Sequence, residues 1–172
     1  RGDRNMIIGA GGDAAHDGLP VLIVTGLKQE ARIAAGPGLT VICSSSNPVQ
    51  LREMMTSFDP ASIRGIVSFG VAGGLNPALR SGDVVVASEI LAGEKRWSTA
   101  AALTENLVAL PVKRRRVVVP GILAGVEEVV TGQIAKAALR ATTGADAVDM
   151  ESHIAARYAE HYGLPFAAVR VI

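Results

Sequence analysis

The feature that most limits what this chain can become is a series of short apolar runs, each set off from the next by turns and helical patterns. Residues 21–25, 39–44, 64–71, 84–87, 144–148 and 166–172 are dense in Val, Ile, Leu and Ala, as strands covered on both faces are. Between them, residues 27–34, 49–58, 132–143 and 150–162 read as helices. Asn47 caps the second of these and Pro48 suits its first turn. In the last, Met150, Ile154, Tyr158 and Tyr162 recur every four residues beside Ala155 and Ala159, until Gly163-Leu164-Pro165 stops the helix. Asp149 is its predicted cap, which places Glu151 in the first turn at the end of a strand. The alternation predicts an α/β fold, a three-layer α/β/α sandwich around a central mixed, mostly parallel sheet.

Several classes of function are excluded by composition. Aromatic residues are 3% of the chain and the net charge is +1, which leaves neither the stacking platforms nor the basic surface of a nucleic-acid binder. The single cysteine, Cys43, offers no disulfide or metal cluster and reads as a small residue of its strand in a reducing, cytoplasmic setting. No apolar run is long enough for a membrane helix. Residues 1–18, which include His16, read as a flexible leader or processing remnant, and residues 19–172 as one domain. The basic run at 111–116 is either a solvated face or a contact with anionic lipid headgroups. Residues 89–97 read as a loop leaving the sheet, with Trp97 as a lid, an interface residue or a packed side chain.

Two carboxylates stand at strand-to-helix junctions. Glu151 is either a first-turn group complementing a helix dipole or a ligand-facing group where open α/β sheets bind. Glu30 follows Gly26 by one turn and is either a surface residue of a short helix or a second site carboxylate. Arg32, on the same helix, is either solvated or an anion partner, since a guanidinium suits phosphate. The third signal is Phe69-Gly70-Val71-Ala72-Gly73-Gly74-Leu75, a strand running into a Gly-rich loop. The loop opens no helix and carries no Gly-Lys-Ser/Thr, so it is neither a dinucleotide fingerprint nor a P-loop. Its glycines let backbone approach a ligand closely.

Taken together, Ala147-Val148-Asp149-Met150-Glu151-Ser152, the Gly-x-Ala-Gly-Gly-Leu loop with Gly82-Asp83-Val84-Val85-Val86 after it, and the closing strand 164–172 resemble the purine nucleoside phosphorylase/nucleosidase superfamily. Gly-Leu-x-x-Glu-Ala-Arg-Ile and Asp-Met-Glu-Ser-His are similar to its branch of methylthioadenosine/S-adenosylhomocysteine nucleosidases and hopanoid-associated phosphorylases. The resemblance covers about residues 21–172. It implies cleavage of an N-glycosidic bond, with Glu151 holding the ribose hydroxyls and Met150 walling the sugar. It also implies that Glu30 places a water nucleophile in the nucleosidases, that Arg32 is a phosphate partner, and that Val71, Ala72 and Gly73 border the substrate. Val71 stands where many relatives carry a Ser or Thr, which points to phosphate held differently or to a greasier substrate. Ile134 and Ala135 stand where the nucleosidases place an adenine-stacking aromatic. The general-acid Asp of relatives falls just past Ile172. The expected activity is phosphorylase-type release of adenine from adenosylhopane, with a methylthioadenosine/S-adenosylhomocysteine nucleosidase or a non-catalytic nucleoside-binding module as alternatives. No cofactor or metal is implied beyond phosphate as co-substrate. The expected partners are a small or lipid-linked nucleoside and a second copy of the chain, with peripheral contact at the inner membrane surface.

Overall fold

The structure, a computed structural model, describes residues 18–109 and 117–172. The leader up to residue 17, with His16, and the basic run at 111–116 lie outside the described residues. The six apolar runs become β1 (Val21–Thr25), β2 (Leu39–Cys43), β3 (Gly65–Val71), β5 (Val84–Ala92), β8 (Ala147–Asp149) and β9 (Phe166–Val171). Among the described residues three further strands join them, β4 (Gly73–Gly74), β6 (Lys95–Ser98) and β7 (Val118–Gly125), none of which was among the expected runs. The sheet order is β2-β1-β3-β9-β5-β7-β8-β4, with β6 on β5. β1 pairs parallel with β2 and β3, β3 with β9, β5 with β7 and β7 with β8. The β5–β9, β5–β6 and β4–β8 pairings are antiparallel, so the sheet is mixed and mostly parallel.

Among the described residues five α-helices cover it: α1 (Lys28–Ala34), α2 (Pro48–Thr56), α3 (Ala101–Val108), α4 (Gln133–Thr143) and α5 (Ser152–Tyr162). α5 is the central one. It packs on β3, β5, β7 and β9 and touches α2, while α3 packs on β5, β7 and β9. Ile154, Ala155, Tyr158 and Ala159 of α5 meet Leu51 and Met55 of α2 and Leu22, Ile66, Ile90 and Leu123 of the sheet in one buried cluster. Each fully buried Leu or Ile there contributes roughly 1.5–3 kcal/mol by leaving water, which makes this cluster the main source of stability. As expected, the Asn47 Oδ1 accepts from the N–H groups of Val49 and Gln50 at 3.0 and 3.1 Å and caps α2.

Two expectations are corrected. Residues 89–97 are not a loop: β5 passes a bulge between Ala87 and Glu89, continues to Ala92, turns at Gly93 and returns as β6. The break in apolar character at Ser88-Glu89 marks the bulge and not the strand end. Trp97 is therefore a packed residue, 7% exposed, whose Nε1–H donates to Glu160 Oε2 at 2.8 Å. The second correction concerns α5, which begins at Ser152 with Glu151 in the cap position, so Glu151 precedes the first turn. Asp149 ends β8, and its Oδ1 reaches forward to the Ser152 hydroxyl at 2.5 Å and to the Ser152 N–H at 3.4 Å.

Candidate active site

Closure of the sheet builds the site. Past Ala72 the chain continues from β3 into β4, which pairs Gly73 with Val148 and Gly74 with Ala147. The Gly-rich loop is thereby drawn against the end of β8. Gly26 after β1, Val71 at the end of β3, Val126 after β7 and Asp149 at the end of β8 then face one cavity of about 240 Å³. The carboxyl ends of strands are where open α/β sheets place ligands. Glu30, Val71, Ala72, Gly73, Met150 and Glu151, all expected at a substrate site, line this cavity together. Arg32 does not. It is exposed and absent from the lining, because two residues of helix turn it about 200° from Glu30. Ile134 is likewise outside, 89% exposed on α4. A larger cavity of about 670 Å³ lies between α2, α5 and the β5–β6 hairpin, but none of the expected site residues lines it.

Glu30 is buried and fully engaged. Its Oε2 accepts from the N–H groups of Gly26 at 2.9 Å and Leu27 at 2.8 Å, and its Oε1 from the Val71 N–H at 2.9 Å. One carboxylate thus ties the first turn of α1 to the end of β3. Glycine at 70 is required by this arrangement, since a Cβ there would lie 2.7 Å from Glu30 Oε1. A Cβ at Gly26 would likewise lie 2.6 Å from Glu151 Oε1, and the Glu151 side chain would have to shift to admit it.

Glu151 is the opposite case. Its side chain is 12% exposed, and among the described residues its stabilisation comes from the backbone at Met150 and the Arg170 Nη2 at 4.0 Å. Burial, and then the neighbouring Asp149 carboxylate, push its carboxyl above the usual range; Glu30 adds to the rise and Arg170 opposes it. Beneath it lies an ion pair that is 1% exposed on both sides. Arg170 Nε donates to Asp149 Oδ2 at 2.6 Å, its Nη2 bonds the same oxygen and also donates to Ser68 Oγ at 2.7 Å, and its Nη1 donates to the Val169 carbonyl at 2.9 Å.

Some of the site was left open by the sequence. Arg170 is a lone cation in an apolar strand, and Asp149 is the acid that its burial demands. Ser46 lines the cavity from a turn in which Ser45 and Ser46 hold φ of 53° and 57°. A left-handed backbone at two non-Gly residues beside a cavity is a functional signal that only coordinates reveal. Val126, Val129 and Val130, from the segment between β7 and α4, form an apolar rim with Val71 and Leu27. Val71 is 55% and Val129 71% exposed. Among the described residues, no group of three or more His, Cys, Asp or Glu is placed to hold a metal, and no helix is long and apolar enough to cross a membrane.

Comparison with known proteins agrees with this fold. The family model of the phosphorylase superfamily matches residues 16–172. Among solved structures, the futalosine hydrolase of Helicobacter pylori is 20% identical with a TM-score of 0.76, over 90% of this chain and 84% of that one. A 5'-methylthioadenosine/S-adenosylhomocysteine nucleosidase from Colwellia psychrerythraea, solved with adenine, is 17% identical with a TM-score of 0.78, over 91% and 82%. The corresponding nucleosidase of Helicobacter pylori is 18% identical with a TM-score of 0.75, over 90% and 84%. At these identities the likeness is one of fold. No curated protein matches the chain.

Proposed function

The chain belongs to the phosphorylase superfamily, and we propose that it cleaves the N-glycosidic bond of a purine nucleoside in the cavity at the strand ends. The observation that carries this reading is Glu151, a cavity-facing carboxylate with one cation at 4.0 Å and little else to bond. A buried acceptor so poorly supplied favours a ligand that brings its own donors, and the vicinal hydroxyls of a ribose are two. As the bond to the base lengthens, positive charge grows on the sugar, and a carboxylate fixed beside it stabilises that charge more than it stabilises the ground state. Met150 forms the apolar wall of the sugar pocket. Solved relatives of the same fold include nucleosidases that act on methylthioadenosine and one that holds adenine.

The rim points to the substituent on the far side of the sugar. Val71, Val126, Val129, Val130 and Leu27 offer no hydrogen bonds and are partly exposed around the mouth. The cavity is also smaller than the roughly 300–1,000 Å³ of sites that engulf a drug-sized ligand, so a large substituent would leave it across these side chains. We take the substrate to be adenosylhopane, with adenine released and phosphate as the attacking group, in a protein that works as an oligomer close to a membrane. A second reading, hydrolysis, is favoured by the cavity's charge. Glu30, Asp149 and Glu151 stand there with one guanidinium already committed to Asp149, and Arg32 faces away. Full-length protein assayed with adenosylhopane and with methylthioadenosine, each with and without phosphate, separates these readings by free adenine. Phosphate-dependent release from the lipid nucleoside supports the first, phosphate-independent release the second, and no adenine from either substrate refutes both.

A further inference from the structure

We propose that Asp149 is a positioning residue: together with Ser68 it holds Arg170 back from Glu151, so that the Glu151 carboxylate stays open to the hydroxyls of a ligand. The inference rests on the reading of Glu151 as the sugar-binding group. Among the described residues, Arg170 is the cation whose charge bears on Glu151, and its reach is spent elsewhere. Nε and Nη2 both go to Asp149 Oδ2, Nη2 is shared with Ser68 Oγ, and Nη1 is tied to its own strand at the Val169 carbonyl. Nη2 thus stops 4.0 Å from Glu151 Oε2, beyond hydrogen-bonding distance. Asp149 is itself held in place, because its other oxygen accepts from the Ser152 hydroxyl and N–H. Its side chain is 1% exposed, so it acts through Arg170 rather than on a ligand.

The charged groups facing Glu151 are few: Asp149 from β8, Arg170 from β9 and Glu30 from α1. Gly26 and Ser46 complete its surroundings without charge. With Asp149 neutralised, the nearest carboxylate left for the Arg170 guanidinium is Glu151, and closing that gap would occupy the acceptor the sugar needs. Loss of the Asp149 charge and approach of Arg170 both make Glu151 easier to ionise, so the two effects share one sign.

The test is a carboxyl-carbon NMR titration of full-length protein labelled at glutamate, with the Glu151 signal assigned by its loss in Glu151→Gln. In Asp149→Asn the Glu151 midpoint is expected to move to lower pH, and in Ser68→Ala to move the same way by less. Adenine release by Asp149→Asn is expected to fall on the order of a hundredfold, as a displaced site group commonly costs. Asp149→Asn lowers the midpoint through its lost charge alone, so Ser68→Ala, which keeps that charge and removes one of the bonds holding Arg170, is the variant that reads the tether. An unmoved Glu151 midpoint in folded Ser68→Ala overturns the inference, whether or not Asp149→Asn folds. Should Glu151→Gln release adenine at the wild-type rate, the catalytic reading fails, while the titration still reports on the tether.

Discussion

Replacing Glu30 by Gln leaves the size of the side chain unchanged and removes one acceptor oxygen. Three N–H groups point at the carboxylate, Gly26 and Leu27 at Oε2 and Val71 at Oε1. The amide of Gln keeps two of these by turning its carbonyl oxygen toward Gly26 and Leu27. Its NH₂ then faces the Val71 N–H, donor against donor. A hydrogen bond to a charged group contributes ~1.5–3 kcal/mol, and the two bonds kept lose their charge assistance. Water recovers part of this at Val71, whose side chain is 55% exposed, which brings the expected loss to about 2 kcal/mol. For a domain of this size that corresponds to a melting temperature lower by about 4–8 °C. Thermal unfolding followed by circular dichroism at neutral pH reads it directly. A Glu30→Gln protein that melts with the wild type would refute the clamp between α1 and β3, and would leave Glu30 with a role toward ligand alone.

Other consequences follow from the same geometry. Arg170→Ala strands the Asp149 carboxylate in a site that is 1% exposed, and urea unfolding should show a loss of ~3–5 kcal/mol, the usual cost of breaking a buried pair. Gly125→Ala places a Cβ 2.5 Å from the His153 ring; an overpacked core costs ~1–3 kcal/mol, again read by urea, and an unchanged midpoint would show that the ring has room to move. Glu151 gives a pH-dependent outcome. Its carboxyl holds its proton to higher pH in the folded chain than in the unfolded one, so its contribution is fully present below the ordinary carboxyl range and is lost as pH rises through the folded value. Glu151→Gln, uncharged throughout, should therefore melt above the wild type at neutral pH and lose that advantage below about pH 4.3. Equal melting temperatures at neutral pH would contradict the assignment.

The parts of this molecule that could be read from sequence are those set by local pattern. The six apolar runs, the Asn47 cap and the Ala-rich helix before Gly144 depend on neighbours in the chain, and the structure has an element at each, whereas β7 and α3 lie outside the pattern. Glu30, Glu151 and the Val71–Gly73 loop were singled out by the resemblance to the superfamily, since strand ends and helix starts alone left each carboxylate with a plain structural reading. What escaped depends on partners far along the chain. β5 continues past Glu89 because β6 and β7 pair with it, and Trp97 is covered because Glu160 receives its N–H, 63 residues away. Arg170 acquires meaning only when β9 lies beside β3, which brings Ser68 within 2.7 Å across 102 residues. Arg32 takes the solvated of its two readings: near Glu30 in sequence, it is carried to the other side of the helix.

The central claim is that Glu151 receives the sugar of a purine nucleoside. Its most direct test is the rate of adenine release from adenosylhopane in the presence of phosphate, for full-length wild type and Glu151→Gln, with circular dichroism confirming that both are folded. The account predicts release by the wild type and a loss of about a hundredfold or more in the variant, the scale of removing a group that stabilises charge in the transition state. A folded Glu151→Gln protein that releases adenine as fast as the wild type would contradict it.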